Sequence, residues 1–134
     1  MQAAVTFAKA LADPTRLRII AALRQRELCV CELCDALEAT QSTLSTHLTL
    51  LRDAAITRTR KQGKWIYYRL SDEVAPLIDT FFCHFADAKS HQRIRRDTDR
   101  VRQRLKLREN GCCNVGFNQH RVRKRRKVRA NGCC

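Results

Sequence analysis

The chain has 134 residues, enough for one domain with a tail, and its hydrophobic share of 44% allows a modest core. No run of 18 apolar residues occurs, and Met1-Gln2-Ala3-Ala4-Val5 lacks a basic region followed by a long apolar block, so neither a helical membrane span, a signal peptide nor a membrane partner is expected. The net charge of +14 is uneven: residues 93–134 carry 15 Lys/Arg against 3 Asp/Glu, leaving the body nearly neutral and giving the tail a sequence-independent attraction for phosphate.

In chain order, residues 3–12 carry Val5, Phe7, Ala8, Leu11 and Ala12, a short amphipathic helix. Asp13-Pro14-Thr15 is a helix start, with Asp as cap and Pro at the first helical position. Leu17, Ile20, Ala21 and Leu23 follow near helical spacing, and the interspersed Arg16, Arg18, Arg24 and Arg26 read as a solvated face.

The segment Leu28-Cys29-Val30-Cys31-Glu32-Leu33-Cys34 holds three thiols in six residues. With eight cysteines and no secretion signal, metal or redox chemistry is favoured over disulfides. Cys31 and Cys34, at i and i+3, share a helix face, whereas Cys29 and Cys31, at i and i+2, point to nearly opposite sides of a regular helix. Either Cys29 precedes the first turn, or that turn unwinds when all three sulfurs close on one ion. Thiolates select soft ions. Structural zinc wants four ligands, usually in two separated C-x-x-C knuckles, and no His lies beside these thiols. Trivalent arsenic and antimony favour three sulfurs in a pyramid. Packing of small apolar cysteines in a helix core is the plainer reading, and the crowding of three weighs against it.

A short helix over Cys31–Leu37 precedes the turn Ala39-Thr40-Gln41-Ser42, with Thr40 as cap. From Gln41 to Ala54 the apolar set is Leu44, Leu48 and Leu51. The remaining faces carry Gln41, Ser42, Thr43, Ser45, Thr46 and His47, side chains that suit base edges and phosphates. This is a helix-turn-helix pattern. The runs Ile56–Lys61 and Trp65–Leu70, separated by Gln62-Gly63-Lys64, form a hairpin with a basic tip at Arg58, Arg60, Lys61 and Lys64. Helix, helix, basic hairpin is a winged-helix order, and the wing can reach phosphates or the minor groove. A last helix over 72–88 carries Val74, Leu77, Ile78, Phe81, Phe82 and Phe85, with Cys83 read as core. Pairing with the first helix across a two-fold axis, or capping of the monomer's own core, accounts for this stripe equally well.

Asp13-Pro14-Thr15-Arg16-Leu17-Arg18-Ile19, Glu27–Leu33, Leu44-Ser45-Thr46-His47-Leu48 and Tyr67-Tyr68-Arg69-Leu70 resemble the ArsR/SmtB metalloregulators, most of all their arsenical-resistance repressors. The resemblance covers about residues 3–88. It implies a cytoplasmic, homodimeric winged-helix repressor that holds double-stranded operator DNA until As(III) or Sb(III) binds as inducer. In that family pattern Cys29, Cys31 and Cys34 match the arsenic ligands, and residues 41–47 match the recognition helix. Two departures stand out. Ala55 occupies a position where the family usually has Gly. Asp79, Cys83, His84 and His91 do not reproduce the spacing of the zinc site that one branch carries on its last helices.

Residues 101–113 and 122–134 form an imperfect repeat offset by 21, each ending in Asn-Gly-Cys-Cys. So much like charge with little apolar surface is expected to stay disordered. Cys112, Cys113, Cys133 and Cys134 form a possible second thiol site, and the arginines an aid to non-specific DNA affinity; an accessory extension without regulatory effect is the plainer alternative.

The expected architecture is α+β, mostly α: a winged helix-turn-helix DNA-binding and sensing domain over 1–90 and a basic cysteine-containing tail over 91–134. The expected function is arsenic-responsive repression, with Cd(II), Pb(II) or oxidant sensing by the same cysteines as the alternative. A thiol enzyme is disfavoured because no βαβ pattern surrounds Cys31-Glu32-Leu33-Cys34, so no catalytic residue or catalytic cofactor is expected. A nucleic-acid-coating protein driven by the tail is the third class.

Overall fold

The computed structural model describes residues 1–85, 87–113 and 116. Helices α1 (Gln2–Leu11) and α2 (Pro14–Leu23) lead into a short strand β1 (Leu28–Cys29), then α3 (Val30–Leu37) and α4 (Gln41–Asp53). The hairpin β2 (Thr57–Gln62) and β3 (Trp65–Leu70) follows, then α5 (Ala75–Phe85) and α6 (Ala88–Leu105). The sheet is antiparallel with order β1-β3-β2.

The helix starts follow their caps. The Asp13 carboxylate accepts from the Arg16 amide at 2.9 Å, with Pro14 as first helical residue. Thr40 Oγ1 accepts from the Thr43 amide at 3.3 Å at the head of α4. Leu44, Leu48 and Leu51 are fully buried against Ile19, Ile20, Leu33 and Leu37. The helix-turn-helix is thus α3 and α4, locked to α2 by one apolar core. In the hairpin, Gln62 pairs with Trp65, so the turn is Gly63-Lys64, with Gly63 at a φ of 57°.

Two expectations about the last helices are corrected. α5 buries only Ile78 and Phe82; Cys83 is exposed, as are Leu77 and Phe85. Of the basic tail expected to stay disordered, the first part, through residue 105, belongs to α6, which packs on α2 and α3 and buries Val101, Asp97 and Arg104, while residues 114, 115 and 117–134 lie outside the described residues. It crosses the 90/91 point where the tail was expected to begin. Within an apparently charged helix, Val101 and the half-buried Ile94 and Leu105 supply the apolar stripe that docks it.

Helix α4 ends in a reciprocal pair of bonds, Ala55 amide to Arg52 carbonyl at 2.9 Å and Ile56 amide to Leu51 carbonyl at 3.0 Å. The residue between them, Ala55, has a φ of 57°, the left-handed region where a Cβ costs about 1–2 kcal/mol. Ala55→Gly is therefore expected to raise stability by up to about 1 kcal/mol after glycine's own unfolded-state entropy is counted, measured as a shift of the urea midpoint at unchanged m-value.

Candidate thiol site and nucleic-acid interface

Cys29 lies at a joint. It ends β1, where it pairs with Tyr67 of β3, and it caps α3 with extended backbone (φ −82°, ψ 165°). Its amide donates to Glu32 Oε2 at 2.9 Å, as in a capping box. Of the two geometries open from spacing, the chain adopts the one in which Cys29 precedes the first turn. Cys31 and Cys34 then lie on the helix, Cys31 half-buried and Cys34 fully buried.

The three thiols do not share one environment. Cys34 belongs to the main core with Leu33 and Leu37, and burial, followed by the neighbouring Cys31 and Asp35, pushes its thiol up to about 12. Cys29 belongs to a smaller cluster with Tyr67 and Cys113, against which Cys31 and Trp65 pack. The adjacent sulfurs of Cys113 and Cys31, then burial, raise the Cys29 thiol far above its ordinary range. Of the second thiol set, Cys113 is buried in this cluster, Cys112 is half-buried beside the Gln62 amide, and Cys133 and Cys134 lie outside the described residues.

What carries Cys113 there is a ladder of ion pairs. α3 presents Glu32, Asp35 and Glu38, three residues apart; the C-terminal segment presents Arg108, Arg104 and Arg100, four apart and running the other way. Arg108 Nε donates to Glu32 Oε1 at 2.7 Å and its Nη2 to Oε2 at 2.8 Å and to the Glu27 carbonyl. Arg104 Nε donates to Asp35 Oδ2 at 2.8 Å. Arg100 reaches Glu38 Oε2 at 2.9 Å. A fourth tie corrects the reading of α2 as a solvated basic face: Arg18 grips buried Asp97 through both oxygens and also donates to the Leu37 carbonyl. Arg16 is likewise held, donating to the carbonyls of Ala10 and Lys9. Beyond α6, the Cys113 amide donates to Tyr67 Oη at 2.7 Å, and the Arg108 guanidinium lies over the Tyr67 ring. Periodicity at three in the acids and four in the arginines was the available signal for this ladder.

On α4, Gln41, Ser42, Thr43, Ser45 and Thr46 are all exposed on the side away from the leucines. His47 is half-buried, its Nδ1 3.8 Å from Asp13 Oδ1. On the wing, Lys61 and Lys64 are exposed, Lys64 lying over the Trp65 ring. Arg58 pairs with Glu73 at 3.2 Å. Arg60 is held by both Glu27 oxygens and stacks over Tyr67, so it belongs to the thiol corner as much as to the wing surface.

A polar recognition-type helix, a basic wing and a core-locked helix-turn-helix define a winged-helix regulator. Residues 13–56 match the model of bacterial regulatory proteins of the arsR family. Over 76 residues the chain is 52% identical to the arsenical resistance operon repressor of Escherichia coli K12, covering 53% of this chain and 65% of that one. Over 84 residues it is 42% identical to the cadmium resistance regulator CadC homolog of Staphylococcus aureus, covering 61% and 69%. The homodimeric winged helix-turn-helix domain Mb0332 of Mycobacterium bovis superposes with a TM-score of 0.56 at 26% identity, covering 64% and 88%. The chain belongs to the arsR family. It spans just under two thirds of the length of the Escherichia coli relative.

Side-chain exposures of 3% and 2% make Arg104–Asp35 a fully desolvated pair. Arg104→Met leaves Asp35 buried without its guanidinium, with an expected cost of about 3–5 kcal/mol. Arg104→Met with Asp35→Leu is expected to recover most of that loss; urea unfolding of both variants tests the pair.

Proposed function

We propose that this chain is an arsenic-responsive transcriptional repressor and not an enzyme. It binds operator DNA as a homodimer in the cytoplasm and lets go when As(III) or Sb(III) is held by thiolates at the head of α3. The observation that carries this reading is Cys29 at the joint of β1 and α3, since an ion held there pulls on the helix that leads directly into α4. Cys29 and Cys31 are the thiols nearest that joint, and Cys34 completes the family's three-sulfur pattern if the first turn of α3 opens. Similarity to the Escherichia coli arsenical resistance repressor and to the Staphylococcus aureus cadmium resistance regulator supports a metal- or metalloid-responsive regulator.

In this reading Gln41, Ser42, Thr43, Ser45 and Thr46 face the major groove, while Lys61, Lys64 and Arg58 meet phosphates. His47 and Arg60 take part only by giving up Asp13 and Glu27. The exposed Val5 on α1 and Leu77 and Phe85 on α5 support a dimer through these two helices. The winged unit, with α6 packed on it, is the regulator, and the basic residues of the tail not engaged with α2 or α3 add salt-sensitive affinity.

A Cd(II), Pb(II) or oxidant sensor is the second reading, favoured by the cadmium relative. Charge discriminates against a divalent ion. The carboxylate beside the thiols, Glu32, is already neutralised by Arg108. Three thiolates around As(III) make a neutral complex, whereas three around Cd(II) bury a net negative charge.

Operator-bound protein titrated with arsenite, Cd(II) and peroxide, followed by fluorescence anisotropy, tests the function; retention of DNA at saturating arsenite would sink it. Cys31→Ser is expected to keep operator affinity and abolish arsenite release. Ser45→Ala is expected to weaken operator binding about tenfold, as loss of one base contact does. Lys61→Ala is instead expected to lower the salt slope by about one.

A further inference from the structure

Cys29 Sγ, Cys113 Sγ and a Glu32 carboxylate oxygen lie within 4.8 Å of one another, and all three residues are buried. Glu32 is committed: its oxygens accept from Arg108 Nε, Arg108 Nη2 and the Cys29 amide. The donors left to an ion are therefore sulfurs. Cys31 packs on the same cluster from the first turn of α3, while Cys34 sits in the main core. Cys113 is fixed by its amide bond to Tyr67 and by the ladder that delivers it. It lies 57 positions beyond the end of the family-model match at residue 56.

We infer that Cys113 is the third sulfur of the soft-ion site, joining Cys29 and Cys31 in the folded chain in place of Cys34. The inference rests on the proposed thiol-sensing function and adds the C-terminal segment to the sensor. Arsenous acid, As(OH)3, is the ligand. Each thiol proton passes to one departing hydroxide, three As–S bonds replace three As–O bonds, and three waters leave. Arsenic stays trivalent, and no electron is transferred. The product is neutral, so the balanced pairs Arg108–Glu32 and Arg104–Asp35 need no new counter-charge. Two ligands from the head of α3 and one from the far end of the α6 segment make the ion a clasp between them.

The test uses the full chain under reducing conditions with arsenite as probe. The readouts are sulfur neighbours counted by X-ray absorption and affinity from arsenic–thiolate absorbance. The parent protein and Cys83→Ser are expected to show three sulfurs. Cys113→Ser is expected to show two sulfurs and one oxygen, with affinity reduced by more than the roughly 10–100-fold typical of losing an outer-shell partner. Cys113→Ala, with its thermal midpoint recorded, guards against a folding defect: the same loss of one sulfur in a folded variant supports the assignment. Three sulfurs and unchanged affinity in either Cys113 variant overturn it and leave the thiol-sensing reading standing. No arsenite bound by the parent protein, or equal binding by Cys31→Ser, overturns both.

Discussion

The acid–arginine ladder between α3 and the α6 segment is the interaction on which the arrangement of this protein depends. Three acids at three-residue steps meet three arginines at four-residue steps running antiparallel, and one pair is wholly removed from water. Desolvating such charges costs more than an exposed pair returns, so the ladder's worth lies mainly in register: Glu32 and Asp35, both buried, would each lose the guanidinium that compensates them, while Glu38 stays exposed at the end of the ladder. That penalty makes α3, the α6 segment and the thiols between them cooperate as one unit. The apolar stripe that docks α6 is narrow, a single buried Val101 with Ile94 and Leu105 beside it.

The ladder also explains why neighbouring cysteines behave differently. Glu32 serves Arg108 and the Cys29 amide together, so the acid that anchors the C-terminal segment also holds the strand-to-helix joint. One turn further, Cys34 faces the leucines of the main core and keeps its proton because burial disfavours the thiolate. The spacing of the thiols suggests one set of three, whereas packing divides them between two clusters.

Most of the body is legible in the sequence. Asp13 and Thr40 announced their helices, Leu44, Leu48 and Leu51 announced the buried face of α4, and Gly63 announced the wing turn. Ala55 stands where the family usually has Gly, and its backbone is left-handed, the conformation that favours Gly. Two elements were not legible, for different reasons. β1 is two residues long, too short for any alternation to register, and exists because β3 offers it an edge. α6 was hidden by composition: a stretch dense in arginine reads as solvated unless its acids and those of α3 are counted as its partners. Counting charge by segment obscured what counting charge by helix face reveals. Arg18 likewise reads as a surface residue by composition, yet its guanidinium closes on Asp97 79 positions away.

The sheet register has a mechanical corollary. Cys29 pairs in register with Tyr67 of β3, whose other edge carries the wing strand β2, and Tyr67 is stacked by Arg60 from β2. Tension applied at the Cys29 main chain therefore has two exits, one through α3 toward the groove-facing rod and one sideways through three strands to the hairpin. A two-residue strand that looks negligible thus gears both arms of the DNA grip to the same pivot.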